Sequence, residues 1–175
     1  MSFDEEWFRL INGWAGQYPS MDWFMFQCSQ ESNLLFPAIL AVAYWGWTNW
    51  SEAKFAAPSL GLLIGLSDLL GGQLKILIAR SRPCQILAHV HEMVGCGGSF
   101  SMPSNHALNS STAVGFLVVL YPSLGWVLWP LMVLIGLSRI YLGGHYVTDV
   151  LVGWGIGLAL GGGVAFILKR KIFHR

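Results

Sequence analysis

From Ala107 to Leu142 this chain carries one charged residue, Arg139. A run that long and apolar does not suit a compact soluble domain, and it is too long for one bilayer crossing. Tyr121-Pro122-Ser123-Leu124-Gly125 supplies turn chemistry in its middle, so it divides into about 107–121 and about 124–142. Three more apolar stretches flank it. Leu34 to Trp50 lacks charge, Phe55 to Ala79 holds only Asp68 and Lys75, and Val147 to Leu168 holds only Asp149. Each covers the ~17–25 residues a bilayer core requires, except the short 107–121 run, whose start is expected near Ser104.

Lipid offers no partner for an open backbone polar group, so helices are the expected form. The composition agrees: 54% of residues are hydrophobic and 11% charged, with a mean hydropathy of +0.55. Soluble domains are about a quarter charged. The expected fold is all-α, a polytopic helical membrane bundle of about five transmembrane helices with an N-terminal interfacial amphipathic helix. The net charge is +1 and there is no basic stripe, which argues against nucleic acid as a partner. Met1 to Phe8 carries Asp4, Glu5 and Glu6 rather than a basic region, unlike a cleavable signal peptide.

Three segments follow from this reading. Trp7, Phe8, Leu10, Ile11 and Trp14 recur at near-helical spacing among Asp4, Glu5, Glu6 and Arg9, so residues 1–33 are expected to lie in the membrane interface. A crossing through Trp23 to Trp50 is the alternative. Residues 34–168 form the membrane domain, and 169–175, with Lys169, Arg170, Lys171 and Arg175, form a basic cytoplasmic tail. Gly153, Gly157 and Gly161 put three small residues on one face of the last span, where a neighbouring helix can approach closely.

With five spans, Lys54 shares the side of the basic tail, and a raw count gives five Lys and Arg on each side. Discounting Lys75, Arg82 and Arg139 as site residues breaks the tie and puts the opposite face outside.

Chemistry concentrates in three stretches: Lys75-x6-Arg82-Pro83, Pro103-Ser104-Asn105-His106, and Ser138-Arg139-x5-His145-x3-Asp149. All lie at the ends of apolar spans, where charge is costly, and the alternation of crossings puts all of them on one side. Three cations, two histidines and a carboxylate suit phosphoryl transfer, which is mostly positioning and charge stabilisation. Lys75 and Arg82 are seven apart and would share a helix face; Arg80 would point elsewhere, as an interfacial snorkelling charge. Lys75, Arg82 and Arg139 can hold phosphate oxygens, helped by the Ser104 hydroxyl and backbone N–H groups near Asn105. Gly143-Gly144 turns the chain so that His145 meets Arg139. Asp149, four residues after His145, can orient its ring. His145 suits the attacking group and His106 the acid that protonates the leaving oxygen. No metal or other cofactor is expected, because the three cations supply the charge.

These stretches resemble the three-part signature of the type 2 phosphatidic acid phosphatase family, membrane lipid phosphatases that share their site design with vanadium haloperoxidases. The resemblance covers residues 75–149. It implies that His145 becomes a phosphohistidine, that Asp149 orients it and that His106 protonates the leaving group. It also implies that Lys75, Arg82, Ser104 and Arg139 bind phosphate. Asn105 stands where the family usually has Gly, and Asn tolerates unusual backbone angles. The Arg-Pro-Cys and Pro-Ser-Asn-His-Ala forms look like bacterial members, in particular lipid A 1-phosphatases and undecaprenyl-diphosphatases. That implies a bacterial inner membrane, a site facing the periplasm or exterior, and an anionic lipid as substrate and partner. Lipid A 1-phosphate, undecaprenyl pyrophosphate and phosphatidylglycerophosphate are the candidates. A phosphotransferase using the same site, or a non-catalytic anionic-lipid binder or transporter, is the alternative.

Four features remain. His89 and His91 are expected to be solvated, and His174 to belong to the tail. Asp68 is expected to form a structural ion pair with a site cation such as Arg139 or Lys75; facing a polar interior with Ser67 is the alternative. Cys84 and Cys96 can form a disulfide if their loop is extracytoplasmic, or stay free thiols.

Overall fold

Residues 2–172 are described by the computed structural model, and among them every regular element is helical. The elements are α1 (Phe3–Asn12), α2 (Pro19–Ser29), α3 (Glu31–Thr48), α4 (Trp50–Ile78), α5 (Pro83–Ile86), α6 (Asn105–Leu120), α7 (Gly125–Tyr141) and α8 (Val147–Ile172). A 3-10 turn over Pro122–Leu124 separates α6 from α7, where the turn chemistry lies. Ser104 stands just before the first residue of α6, close to the expected boundary. Three stretches are long and apolar enough to cross a bilayer: Trp50–Ile86, Pro122–Tyr141 and Val147–Arg170. α3 and α6, the other two expected crossings, have 18 and 16 residues. Phe173, His174 and Arg175, the end of the expected basic tail, lie outside the described residues.

One local expectation fails at the end of α4. Lys75 and Arg82 do not share a helix face, because the helix stops at Ile78 and Ala79 adopts a left-handed conformation with φ 50°. The Ala79 N–H still bonds the Lys75 carbonyl at 2.9 Å, which closes the last turn. Arg82 then sits in extended backbone just before Pro83 opens the short α5. Lys75 therefore comes from a helix and Arg82 from a loop.

The tightest helix pair is α6 against α8, and the glycine row makes it possible. A Cβ added at Gly153 would lie 2.9 Å from the Ser104 carbonyl oxygen; at Gly157, 2.8 Å from the Thr112 nitrogen; at Gly161, 2.9 Å from the Phe116 nitrogen. Backbone thus packs on backbone over two turns, as the spacing predicts. At one end of this pair Ala56, Leu60 and Leu63 of α4 join Phe116, Leu120 and Ala165. Toward the other, Phe8, Ala107, Ile140, Tyr146 and Val150 form a second core cluster.

α1 docks on the second end. Asp4, Phe8 and Asn12 face inward at four-residue spacing, while Phe3, Trp7 and Leu10 are exposed. Two of the three inward residues are polar, and they are used: Asn12 Nδ2 donates to the His91 carbonyl at 2.8 Å and to the Tyr141 carbonyl at 2.7 Å. From α2, Asp22 Oδ1 accepts from the Tyr141 hydroxyl at 2.6 Å.

The long connection between α4 and α6 is tied by a Cys84–Cys96 disulfide, with Cα atoms 5.9 Å apart. It anchors the segment whose Ser99 and Phe100 carbonyls meet Arg82 and Lys75 and whose buried Ser101 meets Asp149. Cys28 is free.

Two outcomes follow. Gly157→Ala forces the Thr112 backbone aside and should lower stability by about 1–3 kcal/mol, whereas Gly155→Ala, which meets nothing within 4 Å, should be near neutral. Thermal unfolding in detergent distinguishes them. Cys96→Ser opens a loop closed across a sequence separation of 12 and should cost about 3 kcal/mol. The same loss should appear in the unaltered protein on adding a reductant.

Candidate active site

The three polar stretches bring their side chains to one buried place. Lys75, Arg82, Ser104, Arg139, His145 and Asp149 are each less than a tenth exposed. Burying three cations together demands a reason, because each disfavours the others.

Lys75 stands at the last turn of α4 and its Nζ donates to the Phe100 carbonyl at 3.0 Å. Arg82 reaches from the following loop. Its Nε donates to the Ser99 carbonyl and its Nη2 to the Ser99 hydroxyl, both at 2.8 Å. Its Nη1 donates to the Gly144 carbonyl at 3.2 Å and lies 3.5 Å from His145 Nε2. Arg139, in the last turn of α7, bonds the Ser29 hydroxyl through Nη1. Backbone carbonyls thus hold two of the cations in place without neutralising them.

Gly143, at φ 85°, lets the chain reverse after α7. The N–H groups of Gly144 and His145 both return to the Arg139 carbonyl, at 3.1 and 3.2 Å. This is the expected turn, and it sets His145 beside Arg139. His145 precedes α8 and Asp149 lies in that helix's first turn. Asp149 Oδ2 accepts from the Tyr146 N–H at 2.8 Å, so the carboxylate also closes the helix start in the manner of a capping box. The same oxygen accepts from the Ser101 hydroxyl and lies 3.5 Å from His145 Nδ1. Burial pushes the His145 pKa down to about 4, opposed by Asp149 and reinforced by Arg82, Lys75 and Arg139. The imidazole is therefore neutral at pH 7, with one ring nitrogen facing a carboxylate and the other facing the cations.

Ser104 Oγ, Arg139 Nε and His145 Nδ1 are buried without a hydrogen-bond partner among the described residues. Hydroxyl and guanidinium donors left open beside three cations suit an oxyanion. Among the described residues no cluster of His, Cys, Asp and Glu has the form of a metal site.

Two sequence-based expectations need correction here. Arg80 is not a snorkelling charge: its Nη1 donates to Asp149 Oδ1 at 2.7 Å and its Nη2 to Asp4 Oδ2 at 2.5 Å. Asp68 pairs with neither Arg139 nor Lys75. Its Oδ1 accepts from Asn105 Nδ2 at 2.8 Å and from Asn109 Nδ2 at 3.0 Å, because α6 presents those amides directly to α4. The Asn105 side chain is consequently turned toward α4, and what it leaves for an anion is its backbone N–H in the first turn of α6. His106 sits one residue further, only partly buried, with Nε2 3.4 Å from Glu31 Oε1 at the start of α3. His89 and His91 are exposed, as expected.

Ser29, Ser99, Ser101 and the Phe100 carbonyl escaped the sequence reading. A weak signal exists for the last three, in the small polar run Gly97-Gly98-Ser99-Phe100-Ser101 just before Pro103. Ser29 has none.

Relatives with the same architecture exist. The chain overlays LpxE of Aquifex aeolicus with a TM-score of 0.76 and 25% identity, covering 95% of this chain and 96% of that one. It overlays a transmembrane PAP2-type phosphatidylglycerolphosphate phosphatase from Bacillus subtilis with a TM-score of 0.70 and 29% identity, covering 96% and 87%. In sequence it is 39% identical over 110 residues to phosphatidylglycerophosphatase B of Bacillus subtilis, matching 57% of this chain and about half the length of that relative. It is 26% identical over 176 residues to lipid A 4'-phosphatase of Porphyromonas gingivalis, matching 96% of this chain and 72% of that one. The profile of the PAP2 superfamily matches residues 56–173. That region contains Lys75, Arg82, Ser104, His106, Arg139, His145 and Asp149, and the chain belongs to the PAP2 superfamily.

Proposed function

We propose that this protein is an integral-membrane lipid phosphatase that works through a phosphohistidine on His145. The observation that carries the reading is the convergence of Lys75, Arg82 and Arg139 with the open Ser104 hydroxyl around a buried, neutral His145. Similarity to named lipid phosphatases supports the substrate class.

The chemistry follows from the geometry. With Nδ1–H directed at Asp149, the lone pair of His145 Nε2 is free to attack phosphorus. The N–P bond forms as the bond from phosphorus to the lipid oxygen breaks, and His106 gives that oxygen its proton. Lys75, Arg82, Arg139, Ser104 Oγ and the Asn105 N–H carry the charge on the equatorial oxygens. Water then attacks the phosphohistidine, with His106 taking a proton, and releases inorganic phosphate. Fixed cations fill the role of a metal ion, so the reaction is metal-independent.

Five crossings, with α3 and α6 added to the three longest stretches, put both ends of the site on one face. The Cys84–Cys96 disulfide beside it and the basic Lys169-Arg170-Lys171 run at the far end of α8 support an outward-facing site in a bacterial inner membrane. Lipid A phosphate, undecaprenyl pyrophosphate and phosphatidylglycerophosphate, the substrates named for the relatives, form the test panel.

Purified protein in detergent should release phosphate from at least one panel lipid with EDTA present, and His145→Ala should abolish that release. His106→Ala should lower kcat by about 10²–10⁴-fold. Turnover that survives in His145→Ala, or that needs added metal, overturns the reading. The acid limb of kcat/KM should fall near pH 4, where His145 gains its proton, rather than near its ordinary 6.5.

A further inference from the structure

Behind Asp149, on the side away from His145, lies a second ionic unit. Arg80 Nη1 donates to Asp149 Oδ1 and to Thr148 Oγ1, each at 2.7 Å. Its Nη2 pairs with Asp4 Oδ2 of α1 at 2.5 Å. Asp4 in turn accepts from the Thr148 N–H at 3.0 Å through Oδ1, and from the Thr148 hydroxyl through Oδ2. The guanidinium carbon stands 4.1 Å from the Tyr146 ring centroid, a cation–π contact on the residue next to His145. Asp4 is buried although it lies in the first turn of the first helix.

We infer that Arg80 and Asp4 are positioning residues for the His145–Asp149 pair, and that α1 is a working part of the catalytic unit as well as a peripheral helix. The inference rests on the proposed role of His145 as nucleophile.

Two physical effects carry it. A carboxylate that turns about its Cβ–Cγ bond cannot hold a fixed oxygen against an imidazole. Here Oδ1 is held by Arg80, so Oδ2 stays directed at the Tyr146 N–H, the Ser101 hydroxyl and the His145 ring. The second effect is charge. Arg80 offsets part of the Asp149 charge and so limits how strongly that carboxylate favours imidazolium on His145. Asp4 balances Arg80, which keeps a fourth net cation out of the phosphate site. Arg is suited to this place because its fork meets two carboxylates at once, which a lysine ammonium does with poorer geometry.

The test measures kcat, KM and the pH profile of phosphate release, using the panel lipid that the unaltered protein hydrolyses fastest. Arg80→Ala should lower kcat by about 10- to 100-fold with little change in KM, the range typical for partners that orient a catalytic group. Its acid limb should move to higher pH, because an uncompensated Asp149 stabilises the protonated His145. The other charged and titratable groups facing His145 stay in place: Asp149 from α8, Lys75 from α4, Arg82 from the following loop, Arg139 from α7 and His106 from α6. The shift therefore reports on Arg80 alone. Arg80→Lys should recover part of kcat and part of the shift. Asp4→Asn should lower kcat by less and move the limb the opposite way, to lower pH, because an unbalanced Arg80 offsets more of the Asp149 charge. Inhibition by inorganic phosphate should persist in all three, because Lys75, Arg82 and Arg139 are untouched.

An unchanged kcat and acid limb in Arg80→Ala overturns the inference. So does a loss of activity that tracks thermal stability, with phosphate inhibition lost and no recovery in Arg80→Lys, since that pattern marks a purely structural role. Failure of the underlying reading looks different. In that case His145→Ala keeps turnover, or the unaltered protein has none, and the inference falls with it.

Discussion

A carboxylate with no solvent exposure must have its charge answered from every side, and Asp149 is such a group at the junction of this molecule. Its Oδ2 serves the Tyr146 N–H, the Ser101 hydroxyl and the His145 ring, while its Oδ1 takes Arg80. Its backbone carbonyl accepts the Ser104 N–H at 3.0 Å, which joins the starts of α6 and α8. One residue thereby gathers the end of α4, the loop before α6, the turn after α7 and, through Arg80, α1. Removing either partner of such a buried pair leaves an unanswered charge, which is why these contacts come as a connected set.

That junction depends on helix packing below it. The Ser104 and Asp149 backbones meet only because α6 and α8 run in near contact, and the Gly153, Gly157 and Gly161 row permits it. In lipid no hydrophobic force drives helices together, so close van der Waals packing along a small-residue face must do that work. The site's cations are supported differently. Lys75 and Arg82 rest on carbonyls of Ser99, Phe100 and Gly144, dipoles that fix the charges without cancelling them. Charges fixed in this way need no reorganisation to act.

Much of this was legible along the chain. Pro122 split the longest apolar run where α6 gives way to α7, and Ser104 marked the start of α6. The glycine row announced a close helix contact, and Gly143-Gly144 announced the turn that carries His145 back to Arg139. The three polar stretches do lie together, although Lys75 and Arg82 converge by a different route from the one their spacing suggests. Seven-residue spacing implies one helix face only while the helix continues, and a left-handed Ala79 ends it. Nothing local to Ala79 announces that conformation, which alanine rarely adopts.

Hydropathy, turn residues and small-residue spacing act over a few turns of chain, so they dictate a helical membrane protein and name the residues of its polar centre. Which charge answers which is settled elsewhere. Arg80 could be read as an interfacial cation until α1 delivered Asp4, 76 residues away in sequence, and α8 delivered Asp149, 69 residues away. Asp68 faced a choice between two cations until packing of α6 on α4 presented it with two amides. Electrostatic pairing falls off over a few ångströms and is indifferent to sequence separation. Only the packed helices decide it.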